Sequence, residues 1–506
     1  MPNKFYITTP LYYVNASPHI GHSYTNIIVD TIARFKRLKG FEVFFLTGTD
    51  EHGLKVRQAS EANNLPPKEF VDNLVPRFKE LWQMLNISYD DFIRTTEDRH
   101  KEVVKRVLSL LYENSDIYLG DYKGFYCTPC ETFWTRTQLK EENCPECKRS
   151  LEEISEKNYF FKLSKYQSWL IDYIKEHPKF IQPSFRTNEI LSFLEQPLQD
   201  LCISRPTSRL SWGIPVPFSA EHVTYVWFDA LINYISGAGY INDTKKFSKL
   251  WPADIHMIGK DILRPHSIYW PIMLKALGLD MPKTVFAHGW WLQEGEKMSK
   301  SRGNITDPVY LVDKYGADAY RYFLLREVSL GMDGVFSEKQ IEKRINSDLA
   351  NDLGNLLNRT LGMIELYFNR KIPNPKRELD QDIKLREKTI GLWKTYEELM
   401  EDLKLSEGLS YIWELINFSN KYIEDSKPWE LARQKDKRLD TVMYNLVEAL
   451  RIVGIAISPF MPKTAEDIFS QLGLAKDFKF LDLKECGLSK PDTTINKGKP
   501  IFPRIE

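Results

Sequence analysis

The sequence predicts a doubly wound parallel α/β sheet, split by a cysteine-rich insertion and followed by an all-α helical bundle. Three observations predict it. The apolar run Phe5-Tyr6-Ile7-Thr8-Thr9, the amphipathic stretch 24–38 and the run Phe41-Glu42-Val43-Phe44-Phe45-Leu46 read as strand, helix, strand. Such a βαβ unit makes a parallel sheet. A turn-rich stretch with paired cysteines (118–156) interrupts this texture, and strand patterns return at Val223-Thr-Tyr-Val-Trp-Phe228, Ile255-His-Met-Ile258 and Val285-Phe-Ala. From residue 337 onward helical periodicity dominates.

With 506 residues the chain exceeds one core. We divide it into a first half of a Rossmann-like domain (1–115), an insertion (116–220), the second half of that domain (221–330), a helical domain (331–470) and an extension (471–506). Lys+Arg and Asp+Glu stand at 69 each, so a nucleic-acid partner must be met by local patches rather than overall charge. No apolar stretch approaches the ~18 residues of a membrane span, and no signal peptide opens the chain. A soluble, cytoplasmic protein without a membrane partner is the expectation. Of six cysteines, four lie between 127 and 147, which fits metal binding better than disulfides.

Taken in order, Pro10 stops the first strand, and Ser17-Pro18-His19-Ile20-Gly21-His22 opens the first helix. Ser17 suits the cap and Pro18 the first turn. Backbone N–H groups at a helix start form an anion site. His19 and His22 share a helix face, and Gly21 leaves room for a flat group against the backbone. The set suits a nucleotide triphosphate, although paired histidines can equally be surface or core. Asp50 and its neighbours Glu51-His52-Gly53 end the next strand at the same sheet edge, where ligands of such sheets bind. No G-x-G-x-x-G follows the first strand and no G-x-x-x-x-G-K-[ST] occurs, which excludes a dinucleotide fingerprint and a P-loop. Helices are expected over 67–85 and 97–114, around a short strand at Phe92-Ile93.

Cys127-Thr-Pro-Cys130 and Cys144-Pro-Glu-Cys147 have zinc-ribbon spacing, and four thiolates would close a structural site with no open position. Unmetallated thiols are the alternative. Asp261, His266 and Trp270 follow the strand 255–258 at the sheet's carboxyl edge. Glycines 295 and 303 bracket a polar loop containing Lys297, Lys300 and Arg302. Such a run is either a solvated face or a loop able to close over phosphates. Helices over 337–368, 380–402, 406–425, 428–434 and 437–457 make the bundle. In it Asn355 and Arg359 project together. Trp429 starts a helix, either as core or as ligand. The tail, 491–506, reads as extended.

The ordered pair His19-Ile-Gly-His22 and Lys297-Met-Ser-Lys-Ser301, on opposite halves of a split sheet, resembles the class I aminoacyl-tRNA synthetases. The segments 8–22 and 48–53, Ile203-Ser-Arg205, Trp212-Gly-Ile-Pro, Trp227-Phe-Asp-Ala and Ile258-Gly-Lys-Asp261 are similar to the methionine-specific members of that family. The resemblance implies activation of L-methionine by ATP, with Mg²⁺, followed by transfer to the 3′ end of elongator and initiator tRNA(Met). It assigns His19, Gly21, His22, Lys297, Met298, Ser299, Lys300 and Ser301 to ATP, with His19, His22, Lys297 and Lys300 catalytic. It assigns Leu11, Tyr13, Trp227, Leu231, Tyr234, His266 and Trp270 to the methionine slot, Asp50 to the ammonium, and Arg205 and Asp261 to ordering the pocket. Leu231 and Tyr12 stand where proline is frequent in the family. Asn355, Arg359 and Trp429 match an anticodon-reading set, and Cys127, Cys130, Cys144 and Cys147 a structural zinc site. The insertion is too small for a separate editing domain, so homocysteine would be rejected in the synthetic site. The chain stops at Ile505-Glu506 without an oligonucleotide-binding-fold domain, which implies a monomer or a partner subunit carrying one. Two other readings stay open: a class I synthetase for another amino acid, and a non-catalytic RNA-binding relative.

Overall fold

A computed structural model describes residues 3–127, 132–134, 139, 143–145, 148–293, 296–297 and 307–505. The chain opens with β1 (Lys4–Thr8), β2 (Tyr12–Tyr13), α1 (Ile20–Leu38) and β3 (Glu42–Asp50). These strands join β4 (Asp91–Arg94), Ile181–Gln182, Ile255–Gly259 and Thr284–His288 in a seven-stranded sheet whose pairs are all parallel. β1 sits between β3 and Ile255–Gly259, with Ile7 opposite Ile255 and Thr8 opposite His256. The strands before residue 115 therefore lie to one side of β1, and those from residue 181 onward to the other. The crevice at that switch point is where such a sheet binds ligands.

Side chains alternate between two cores, as a pleated strand buried on both faces requires. Phe5, Ile7, Phe45, Met257 and Phe286 face α1 and the helical bundle, whereas Tyr6, Leu46, Ile258 and Ala287 face the opposite layer. The helices Pro67–Met84 and Asp98–Glu113 lie where periodicity places them, one in each layer.

Three expectations change. Only Val223 and Thr224 of the run 223–228 are extended, in a strand, His222–Thr224, that pairs antiparallel with Ser204–Pro206, outside the main sheet. Val226–Leu231 is helix. A short apolar run fits a buried strand and a buried helix turn equally, so periodicity could not separate them. The segment 116–220 is not wholly separate, because its strand Ile181–Gln182 extends the main sheet alongside Thr284–His288. The rest of it builds an antiparallel sheet in which Ile117–Cys127 pairs with Glu152–Phe161. The helix expected over 337–368 is in three pieces: Glu338–Arg344, a stretch of wide π-type turns over Ile345–Gly354, and Asn355–Phe368.

The bundle helices Asp380–Glu401, Leu405–Ser426, Pro428–Gln434 and Arg438–Ile457 match the pattern closely; Pro462–Leu472 adds another. Its core is continuous with the layer under α1. A buried ion pair joins the two: Arg321 lies 2.7 Å from Asp30 of α1 and donates to the carbonyls of Leu85, Pro459 and Phe460. Burial pushes the Asp30 carboxyl up, but Arg321 and Arg34 outweigh it and hold it below its ordinary range.

Candidate active site and anticodon face

The site is built at the carboxyl edge of the sheet, from loops that leave β1, β3, Ile255–Gly259 and Thr284–His288. Ser17 does not cap α1. His19 does: its backbone is extended and its Nδ1 accepts from the Gly21 N–H at 3.1 Å. The His22 Nδ1 in turn accepts from the His19 N–H at 3.3 Å, so the two imidazoles form a reciprocal capping box. Their rings stack at 3.8 Å and 24°. An imidazole nitrogen does here what a serine hydroxyl usually does, leaving Ser17 to accept from Arg77. A Cβ at Gly21 would sit 3.0 Å from the His19 ring, so glycine keeps the stack close. Beneath it Tyr12 is buried, its ring 4.8 Å from His22 and its hydroxyl accepting from Asn26.

Asp50 ends β3 directly opposite Tyr13 of β2 and is buried. The Tyr13 hydroxyl donates to the His52 carbonyl at 2.9 Å. Leu11 lies against Gly48, where a Cβ would come within 1.9 Å of the Ile93 carbonyl oxygen. The next acid, Glu51, is fully buried and accepts a two-point contact from Arg94. His52 and His100 both donate to the fully buried Asp229, at 2.6 and 2.7 Å. Burial raises the Asp229 carboxyl, but the two histidines prevail and lower it. This bridge ties the Asp50 loop to the helix Val226–Leu231, which carries half-buried Trp227 and buried Leu231.

Tyr234, His266 and Trp270 are brought together. Ring centroids of Tyr234 lie 5.8 Å from His266 and 5.7 Å from Trp270. His266 donates from Nδ1 to the Ile262 carbonyl, so its Nε2 is bare and accepts the Tyr234 hydroxyl at 2.7 Å. Burial lowers the His266 pKa to about 4 and keeps it neutral. Asp261 is exposed and accepts from the Trp290 indole at 3.2 Å; Lys260 beside it pairs with Asp333. Arg205 is buried, in contact with Glu156 and stacked on Tyr126 at 4.3 Å.

Lys297 lies in the strand Glu296–Lys297, opposite Leu292 of Trp291–Gln293, which also pairs with Gly334–Val335. Met298, Ser299, Lys300 and Ser301 lie outside the described residues, as do Cys130 and Cys147. Cys127 and Cys144 are both fully buried and form one small cluster with Phe125, Leu139 and Leu151. Around the second knuckle Asn143 bridges Ser150, the Lys148 N–H bonds the Cys144 carbonyl, and Lys148 has φ 60°. Two thiols from separate knuckles meeting in one buried cluster suit a tetrahedral thiolate site. Among the described residues no group of three or more candidate ligands is assembled.

On the bundle, Asn355 is exposed at the start of its helix, and Arg359, one turn on, pairs with Glu424 at 2.6 Å. Trp429 is 41% exposed, not core. Sequence reasoning passed over Asp229, His100 and His256. Asp229 and His256 showed only as polar residues embedded in apolar runs, a pattern a satisfied core shares, and His100 sits in a charged run that reads as a solvated helix start.

Known proteins resemble this chain over nearly its whole length. The family described as "tRNA synthetases class I (M)" matches residues 5–154 and 149–361, and "Anticodon-binding domain of tRNA ligase" matches 382–494. The chain is 52% identical over 509 residues to the methionine–tRNA ligase of Caldanaerobacter subterraneus subsp. tengcongensis, covering 100% of this chain and 80% of that one. It is 53% identical to the methionine–tRNA ligase of Clostridium tetani, over 99% of this chain and 78% of that one. Mycobacterium tuberculosis methionyl-tRNA synthetase in complex with methionyl-adenylate superposes with a TM-score of 0.95, at 40% identity, covering 99% of this chain and 100% of that one. The free form of that enzyme superposes with a TM-score of 0.87, at 38% identity, covering 100% of this chain and 99% of that one.

Proposed function

The chain belongs to the methionine–tRNA ligases of class I, and from that membership we propose how its own residues carry the reaction. It activates methionine with ATP and passes it to tRNA. A methionine carboxylate oxygen attacks the α-phosphorus, the bond to the leaving pyrophosphate breaks, and methionyl-adenylate forms. A ribose hydroxyl of the tRNA's terminal adenosine then attacks the acyl carbon and AMP leaves. The charge in the first step spreads over phosphate oxygens and needs fixed donors around it.

The observation that carries the reading is the His19–His22 stack, locked as a helix cap at the sheet's switch point. Stacking and capping fix both rings before any substrate arrives, so their outward edges meet phosphate without reorganisation. Gly21 lets the adenine lie against the backbone. Lys297 enters from the other half of the sheet on a strand, and Met298, Ser299, Lys300 and Ser301, which follow it in sequence, would contact ATP. Mg²⁺ accompanies ATP and offsets its charge. Asp50 takes the methionine ammonium. Leu11, Tyr13, Trp227, Leu231, Tyr234, His266 and Trp270 enclose the thioether, for which aromatic faces suit a polarizable sulfur. Asp261 acts at the mouth, through Trp290. Arg205 acts from further back, through Glu156.

Cys127, Cys130, Cys144 and Cys147 would hold one structural zinc ion, whose bonds tie the two knuckles together. Asn355, Arg359 and Trp429 read the anticodon by hydrogen bonding and stacking. Among the described residues no helix is long and apolar enough to cross a membrane; we place the protein in the cytoplasm, with translation. Sedimentation tests whether it acts as a monomer or with a separate tRNA-binding subunit.

ATP–pyrophosphate exchange with a panel of amino acids tests the whole reading. Exchange dependent on methionine is expected, and exchange driven by another amino acid would overturn it. His19→Ala and His22→Ala are expected to lower exchange by about 10²–10³, the range for a lost transition-state donor.

A further inference from the structure

His256 belongs to none of the motifs above. It lies in the strand Ile255–Gly259, opposite Thr8 of β1, and is fully buried. Its protonation follows from its neighbours. The indole of Trp270 is a donor only, and its Nε1 lies 3.2 Å from the His256 Nε2, so Nε2 accepts. The ring's proton is then on Nδ1, which donates to the Thr8 hydroxyl oxygen at 2.8 Å. The same ring stacks on Tyr234 at 4.1 Å and 26°. Burial holds the imidazole's pKa well below its ordinary value, so the neutral form that this network needs persists.

We propose that His256 is a positioning residue that sets the shape of the amino-acid side-chain slot, anchoring Trp270 through its bare Nε2 and backing Tyr234 with its ring face. The proposal rests on the reading of Tyr234 and Trp270 as slot walls. His266 supplies a matching anchor, accepting the Tyr234 hydroxyl. Two neutral imidazoles thus each hold one wall by its polar edge, while the ring faces that His256 does not cover remain for substrate. A third contact completes the frame: the Tyr6 hydroxyl donates to the Tyr234 carbonyl at 2.7 Å. With the Nε2 acceptor gone, the Trp270 N–H is buried without a partner, and the wall turns to find one. A turned wall changes the width of the slot and leaves the ATP side untouched.

Two conservative variants separate the two bonds. His256→Gln retains an acceptor near Nε2, and His256→Asn retains a donor near Nδ1. In pyrophosphate exchange His256→Asn is expected to raise KM for methionine about tenfold, with KM for ATP within about twofold, as one unmet buried donor predicts. His256→Gln is expected to stay within about threefold of the parent for both substrates. Equal effects of the two variants, or KM for ATP moving in step with KM for methionine, would overturn the proposal. Tyr234→Phe and Trp270→Phe are measured alongside. If they raise KM for methionine and His256→Asn does not, the role of His256 fails alone. If they too leave it unchanged, the slot reading fails and takes the proposal with it.

Discussion

Three buried histidines in and beside the site are set by burial more than by sequence position. His266, His256 and His288 all have pKa values lowered chiefly by burial. The unfolded chain binds a proton at each near pH 6.5, whereas folded His266 does so only near pH 4. Between those values the unfolded state holds more protons, so stability falls as pH falls through the window. His266 alone is expected to cost about 3 kcal/mol between pH 7 and pH 4, and the other two act in the same direction. Urea unfolding at a series of pH values checks this, and the slope below pH 6.5 should lessen in His266→Gln. Trp429 is the opposite case. Being exposed, its replacement by alanine should leave stability within about 0.5 kcal/mol while reducing tRNA charging roughly 10–100-fold, the worth of one stacked base. Adenylate formation should be unchanged. The sequence left Trp429 open between core and ligand because a helix-start tryptophan satisfies both patterns; its exposure sets the core reading aside.

At the scale of elements, the parallel sheet was legible wherever strand and helix periods alternated cleanly, as in β1, α1 and β3. It was not legible at Val226–Leu231, a helix too short to show a period, nor at Ile181–Gln182, a two-residue strand whose partner is a hundred residues away. The cap of α1 was missed for a chemical reason: an imidazole nitrogen replaces the expected hydroxyl. The small sheet that carries Lys297 depends on Gly289. A Cβ there would come 2.1 Å from the Met332 carbonyl oxygen, against backbone that cannot rotate away. Gly289→Ala is expected to push Gly334–Val335 from Trp291–Gln293, cost about 1–3 kcal/mol of stability and slow exchange at saturating methionine. Denaturation and kcat measured on the same variant show whether the two effects travel together.

Across the whole molecule, the joint between the catalytic sheet and the bundle is polar at its centre. Arg321 and Asp30 are both 0% exposed, so removing Arg321 leaves the buried Asp30 with only Arg34 and Ser88 to meet its charge. Arg321→Met is expected to destabilise by about 3–5 kcal/mol, and Asp30→Asn with Arg321→Met by less than the sum of the single changes. Calorimetry checks both, and a single transition splitting in two would show that this pair holds the halves in one cooperative unit. The bundle's helices could be read from periodicity alone, but this joint could not, because nothing near Asp30 or Arg321 in sequence announces its partner.

The wide turns over Ile345–Gly354 carry a consequence for angle rather than energy. Each residue of an ordinary helix advances the azimuth by about 100°, and a wide turn advances it less. The stretch therefore acts as a phase shifter between Glu338–Arg344, which follows the Lys297 sheet, and the helix that bears Asn355 and Arg359. Their bearing on the bundle surface is set by the number of residues here, not by which residues they are. Deleting one would swing that face by about a quarter turn. A conservative substitution in the stretch would leave that bearing unchanged.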